Sequence, residues 1–170
     1  IGLVNINAGY DAKTGNLPFS VISDNKDYRI NASGYYKLID STHQPLYTSI
    51  QLKDTRINFV EQFLTGIFSE VDGKATGQLN IQGDPASPKL LGDVLVKNAT
   101  LKVDYTQVNY QIDSLRIKFL EDGIDFGKFT AKDKYNNKAT GSGKLFEKQF
   151  ENMAFDFDVN TNNLLLIDTK

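Results

Sequence analysis

GDVLVKNATLKVDY (Gly92–Tyr105) is followed after two residues by VNYQIDSLRIKF (Val108–Phe119), and this pair decides how the chain folds. Leu101, Val103 and Tyr105 alternate with Thr100, Lys102 and Asp104, and Leu115, Ile117 and Phe119 alternate with Arg116 and Lys118. A two-residue period puts apolar side chains on one face of a strand and polar ones on the other. Two such segments joined by a short turn are antiparallel neighbours with one dry face and one wet face.

The same pattern extends in both directions. Strand-like segments upstream are LPFSVIS, YRINASGYYKL and LYTSIQL, separated by DNKD and DSTHQP. KATGQLNIQG comes next, and downstream lie IDFGKFTAKD, NKATGSGKLF, MAFDFDVN and LLLID. About ten strands with short connections predict a mainly antiparallel β domain. KATG occurs twice, at 74–77 and 138–141, and continues as Ala75, Gly77, Leu79, Ile81 and as Ala139, Gly141, Gly143, Leu145. Both are strands with small residues on the apolar face. A concave sheet lined this way keeps width for something besides its own bulky side chains, or for a helix of its own. NFVEQFLTGIF supplies that helix: Val60, Phe63, Leu64 and Ile67 follow helical spacing, and Asn58 with Glu61 matches a capping box. So short a helix must rest on the sheet to persist.

Composition bounds the function. The 170 residues suffice for one domain, 40% are hydrophobic, and the net charge is −2. Lysines are dispersed among acids, so no basic stripe invites nucleic acid. No cysteine is present, which removes disulfides, thiolate chemistry and cysteine zinc sites. The longest apolar run, Leu164–Ile167, is too short to cross a bilayer.

No catalytic constellation survives inspection. His43 is the single histidine, lies in a turn-rich segment, and has no serine elbow to serve. Asp156, Asp158, Asn160 and Asn162 resemble the start of a calcium loop, but Thr161 stands where glycine is needed and Ile167 where the bidentate glutamate belongs. They read as the wet face of a strand. EDGID, with Glu121, Asp122 and Asp125, reads as a hairpin turn rather than a carboxylate pair, and Tyr35 and Tyr36 point to opposite faces and make no stacking platform. Neither a metal nor a cofactor is expected.

From Asp54 to the end, the order of elements resembles the C-terminal domain of the TamB family (translocation and assembly module, AsmA-like), in its Bacteroidetes-type form. The stretches that carry the likeness are VEQFLTGIFSEVDGKATGQLNIQG, PKLLGDVLVKNATLKVDYTQVNY, KATGSGKLFEKQFENMAFDFDV and NNLLLIDT. Residues 1–53 match in pattern alone, and the strand-like ends suggest a piece of a longer β array. The resemblance implies a U-shaped, β-taco-like trough in the periplasm, in a parent anchored in the inner membrane of a Gram-negative bacterium. It implies no catalysis. Its role would be outer membrane biogenesis: a hydrophobic conduit for phospholipid transport between inner and outer membrane, with outer-membrane protein assembly or protein secretion beside it. Partners would be phospholipid acyl chains, an outer-membrane barrel protein and nascent outer-membrane proteins.

On this reading Val94, Val96, Leu101, Val103, Tyr105, Leu115, Ile117, Phe119, Phe155, Phe157 and Val159 line the trough, and Val60, Phe63, Leu64 and Ile67 form a helix that partly fills it. The alternative is a structural or protein-binding β module in which the same residues close a core. It would act through open edge strands that pair with a partner or with a second copy.

Overall fold

The computed structural model describes residues 3–38, 45–146 and 154–168. His43 lies outside them, as do the side chains of Phe63 and Phe155. Ten strands form one sheet: β1 (Asn5–Ala8), β2 (Asn16–Asn25), β3 (Tyr28–Lys37), β4 (Leu46–Arg56), β5 (Phe68–Asp84), β6 (Ser87–Val103), β7 (Val108–Leu120), β8 (Gly123–Lys132), β9 (Lys138–Phe146) and β10 (Ala154–Thr161). Each pairs antiparallel with its sequence neighbour, in the spatial order β1 to β10. The sheet is not closed into a barrel, because β1 and β10 each have one partner. The mainly β, antiparallel fold expected from alternation is therefore observed. EDGID is the tight β7–β8 turn, with Leu120 opposite Gly123.

Alternation does not run unbroken through the long strands. Val94 and Val96 are buried on one face of β6, yet buried Ala99 and half-buried Leu101 join the same cluster, although a strict two-residue period would send them to the opposite face. The phase changes at Lys97 and Asn98, both exposed, and Asn98 holds φ 50°. β7 shifts phase at the facing residues, where Asp113 and Ser114 are both exposed between Ile112 and Leu115. β4 does so between Leu52 and Thr55 (Asp54, φ 49°), β5 near Glu70 (φ 52°), and β8 near Gly127 (φ 55°). Asn and Asp tolerate this left-handed backbone better than most residues. The five irregularities form a band across β4–β8 that bends the sheet.

The bend explains the core. Among the described residues no second layer covers the apolar face, yet Ala75 and Val96 are only 2% exposed, and Val94 is 4% exposed. Side chains so well shielded in a single sheet are covered by neighbours on the same curved face and by the segments at the strand ends. Ala75, Val94, Val96, Ala99, Ile112 and Ala131 form the cluster, and Leu52, Ile57, Leu79, Leu101, Tyr110, Leu115, Ile117, Phe119 and Phe129 pack against it.

Two expectations need correction. Residues 58–67 are not an amphipathic α-helix: Asn58–Phe63 is a 3-10 segment followed by turns, with Val60 N–H bonded to Ile57 O and Leu64 N–H to Glu61 O. The capping box fails because its side chains are engaged elsewhere. Asn58 Oδ1 accepts from the Tyr28 hydroxyl, and Glu61 Oε2 accepts from Val71 N–H. The segment LLLID is likewise not a strand; after β10 it leaves the sheet plane and crosses the strand ends.

Candidate functional site

The register places one apolar row across the whole sheet. Ile6, Val21, Ala32, Ile50, Leu79, Gly92, Phe119, Ile124, Leu145 and Phe155 are successive cross-strand partners from β1 to β10. Directly paired residues project to the same face, so this row belongs to the apolar side. Nine inter-strand steps of about 4.8 Å give it a length of roughly 43 Å.

The apolar face has two halves, one on each side of the bend. At the near half, Thr55 (0% exposed), Val108 (1%), Ala139 (3%) and Ile112 (6%) are buried. The 3-10 segment and the C-terminal residues 162–168 both lie at this side. Ile57 packs on the core cluster. Tyr110, an inward residue opposite Leu101, donates its hydroxyl to Leu165 O at 2.8 Å. At the far half, Ala32 and Thr48 are buried opposite Ile50 and Ile81, whereas Leu79, Ile81, Leu115, Ile117, Phe119, Ile124 and Leu145 are half-buried and Leu90 is 37% exposed.

The expected lining residues divide accordingly. Val94 and Val96 are core at the bend, Leu115, Ile117 and Phe119 belong to the open far half, and Leu101 and Val103 are half-buried in the near half. Phe157 and Val159 lie on edge strand β10, 42% and 56% exposed. Phe155 pairs with Leu145 in the β9–β10 ladder. Tyr105 does not line the face: it is 93% exposed in the β6–β7 turn, because the strand stops at Val103 when Gln107 N–H bonds back to Val103 O. In the 3-10 segment Val60 and Leu64 are half-buried, whereas Ile67 is 39% exposed, so the helical face expected there does not assemble.

The small residues of the KATG strands do not create free width. A Cβ built on Gly143 would lie 2.1 Å from the Phe157 ring, and one on Gly141 would lie 2.6 Å from the Phe129 ring. Those aromatic side chains already lie over the glycines. A Cβ on Gly77 would lie 2.2 Å from Asp93 O and one on Gly92 2.2 Å from Gln78 O, so these glycines permit close approach of strand backbones.

The outer face is polar and carries the ion pairs. Arg116 with Asp93, Lys132 with Asp113 and Lys144 with Asp125 bridge neighbouring strands. Tyr35 stacks on Tyr47 with centroids 5.7 Å apart, a pairing that cross-strand register specifies and spacing within one strand does not. A cleft of about 810 Å3 opens on this face, where residue pairing between β7 and β8 is interrupted; Ser114, Lys128, Thr130, Thr140, Ser142 and Asp158 contribute to its rim. Within it Ser142 is the direct cross-strand partner of Lys128 on one side and Asp158 on the other. Among the described residues no group of three or more His, Cys, Asp or Glu side chains is arranged to hold a metal. Asp156, Asp158 and Asn160 are exposed on a strand, as their alternation suggested.

The perturbed ionisable groups hold structure together. The Arg56 guanidinium, bonded to Asp72 through two nitrogens, keeps the Asp72 carboxyl below its ordinary range. Burial would raise the pKa of Asp133. Amide hydrogen bonds from Leu165, Asn137 and Tyr135 outweigh that effect and lower it. Burial, with the nearby Asp133 charge, raises the Tyr110 hydroxyl.

Comparisons with known family models, curated proteins and solved structures give no match.

Proposed function

We propose that the chain is part of a non-enzymatic, TamB-type periplasmic module whose open apolar half shields phospholipid acyl chains from water. The observation that carries this reading is the ten-strand apolar row, whose far side no described segment covers. A chain lying along the row gains about 0.8 kcal/mol for each methylene removed from water, without any polar contact. On this reading the parent is anchored in the inner membrane and passes lipid toward the outer membrane, where a barrel protein and nascent outer-membrane strands are its partners.

Native mass spectrometry of protein purified from bacterial cells tests it. Wild type and the outer-face control Gln51→Asp retain phospholipid, whereas Ile50→Asp stays folded and loses it. Wild-type protein free of lipid, or a folded Ile50→Asp carrying as much as wild type, contradicts the proposal.

The second reading, a β module acting through its edges, has its own support. β1 and β10 each leave one backbone edge without a partner strand among the described residues. Edge pairing with a client strand or a second copy would extend the sheet. Concentration-dependent dimerisation that persists in Ile50→Asp favours it.

A further inference from the structure

Residues 162–168 leave the end of β10 and cross the ends of β9, β8 and β7 to reach the β6–β7 turn. Leu165 N–H donates to Asp133 Oδ2 at 2.8 Å, and Leu165 O accepts from the Tyr110 hydroxyl at 2.8 Å. Asp168 N–H donates to Thr106 O at 3.0 Å, and the Asp168 carboxylate pairs with Lys134. Asp133, only 3% exposed, is the hub: its Oδ1 accepts from the amides of Tyr135 and Asn137, and its Oδ2 accepts from the Asn137 side chain and Leu165. A single carboxylate thus shapes the β8–β9 turn with both oxygens and holds the crossing segment with one of them.

The crossing segment differs in kind from the strands beneath it. It has no ladder, and Leu166 and Ile167 are about 60% exposed. Tyr110 reaches it from the apolar face, so the segment lies on the side where Ile112, Ala131 and Ala139 are buried. Few amide bonds and exposed apolar side chains mark a unit that opens without unfolding the sheet.

We infer that residues 162–168 form a detachable strap over the near half of the apolar face, tied by Asp133 and Tyr110, and that releasing it lengthens the surface open to an apolar ligand. The ties at Asp133, Tyr110 and Thr106 stand on the contacts above, and the segment's competition with ligand rests on the groove reading. In Asp133→Asn an amide nitrogen at the Oδ2 position faces Leu165 N–H and the Asn137 side-chain amide donor to donor, while Oδ1 keeps the two backbone bonds of the turn. Tyr110→Phe removes the second tie and retains the ring.

The test uses the absence of cysteine. In Ala131→Cys, thiol labelling accelerates at least about tenfold when Asp133→Asn and Tyr110→Phe are added, as loss of a charge-assisted hydrogen bond predicts. Amide exchange at Leu165 and Asp168 accelerates with it, while Val96 and Ile112 amides keep their protection. Oleate then binds several-fold more tightly to the double variant. Strap amides that exchange only with the ladder, or labelling that does not change when the strap amides are free, overturns the strap. Oleate binding to neither protein, with labelling accelerated, leaves the cover standing and removes both the competition and the groove reading.

Discussion

The two halves of the apolar face are made of similar residues and the same strands, yet they differ in cover. Near the 3-10 segment and the strap, Val108 and Ile112 are as buried as the core of an ordinary domain. Across the bend, Phe119 packs on the margin of the core cluster, and Ile81 and Ile124 stay half-buried, although no described segment lies over them. Apolar patterning therefore decides which face is dry, and the connections decide which half of that face is finished by the chain itself.

Substitutions with a carboxylate separate the halves most sharply. Val108→Asp strands a charge where water cannot follow, a cost comparable to the roughly 5 to 15 kcal/mol that holds a domain together, and the variant fails to give a cooperative melt. Ile50→Asp, half-buried on the unfinished side, costs about 1 to 3 kcal/mol through lost apolar burial and still melts cooperatively. Equal losses at the two sites would erase the distinction.

Glycine replacements sharpen the same comparison at the level of backbone. Gly92→Ala drives a Cβ into Gln78 O at φ 134°, so β5 and β6 must separate; about 1 to 3 kcal/mol is lost, read by denaturant titration. Gly143→Ala meets the Phe157 ring, a side chain packed on Phe126 rather than a backbone carbonyl, and costs less than Gly92→Ala.

Acidity has the smallest effect. Asp72 and Asp133 have folded pKa values below the ordinary one, so their stabilising contribution is complete above about pH 4 to 5 and lost as pH falls through their lowered values. Melting temperature should hold level from pH 7 to about 5 and decline below. Asp133→Asn should flatten part of that decline.

Much of this was legible in the sequence, because the period of two is a local property. The hairpin at Glu121–Asp122, the inward Ala75 and Ala139, and the wet face of β10 all followed from it. What alternation could not show was the phase change at Asn98 and Asp113–Ser114, which needs the facing strand to reveal that both sets of apolar residues share one side. The helix was misread because its capping pair satisfies Tyr28 and Val71, partners 30 and 10 residues away. Gly141 and Gly143 suggested empty space, whereas Phe129 and Phe157 from neighbouring strands occupy it. Leu164–Ile167 had the composition of a strand, and only the contacts to Tyr110 and Asp133 make it a strap.

The central claim is that acyl chains lie along the row on the unfinished half and are kept from the finished one. A spin-labelled fatty acid added to isotope-labelled protein reads this directly through line broadening of backbone amides. Broadening centred on Ile50, Leu79, Phe119 and Ile124, with Val108 and Ile112 left sharp, is the predicted result; broadening centred on Val108 and Ile112, or none at any amide, would contradict it.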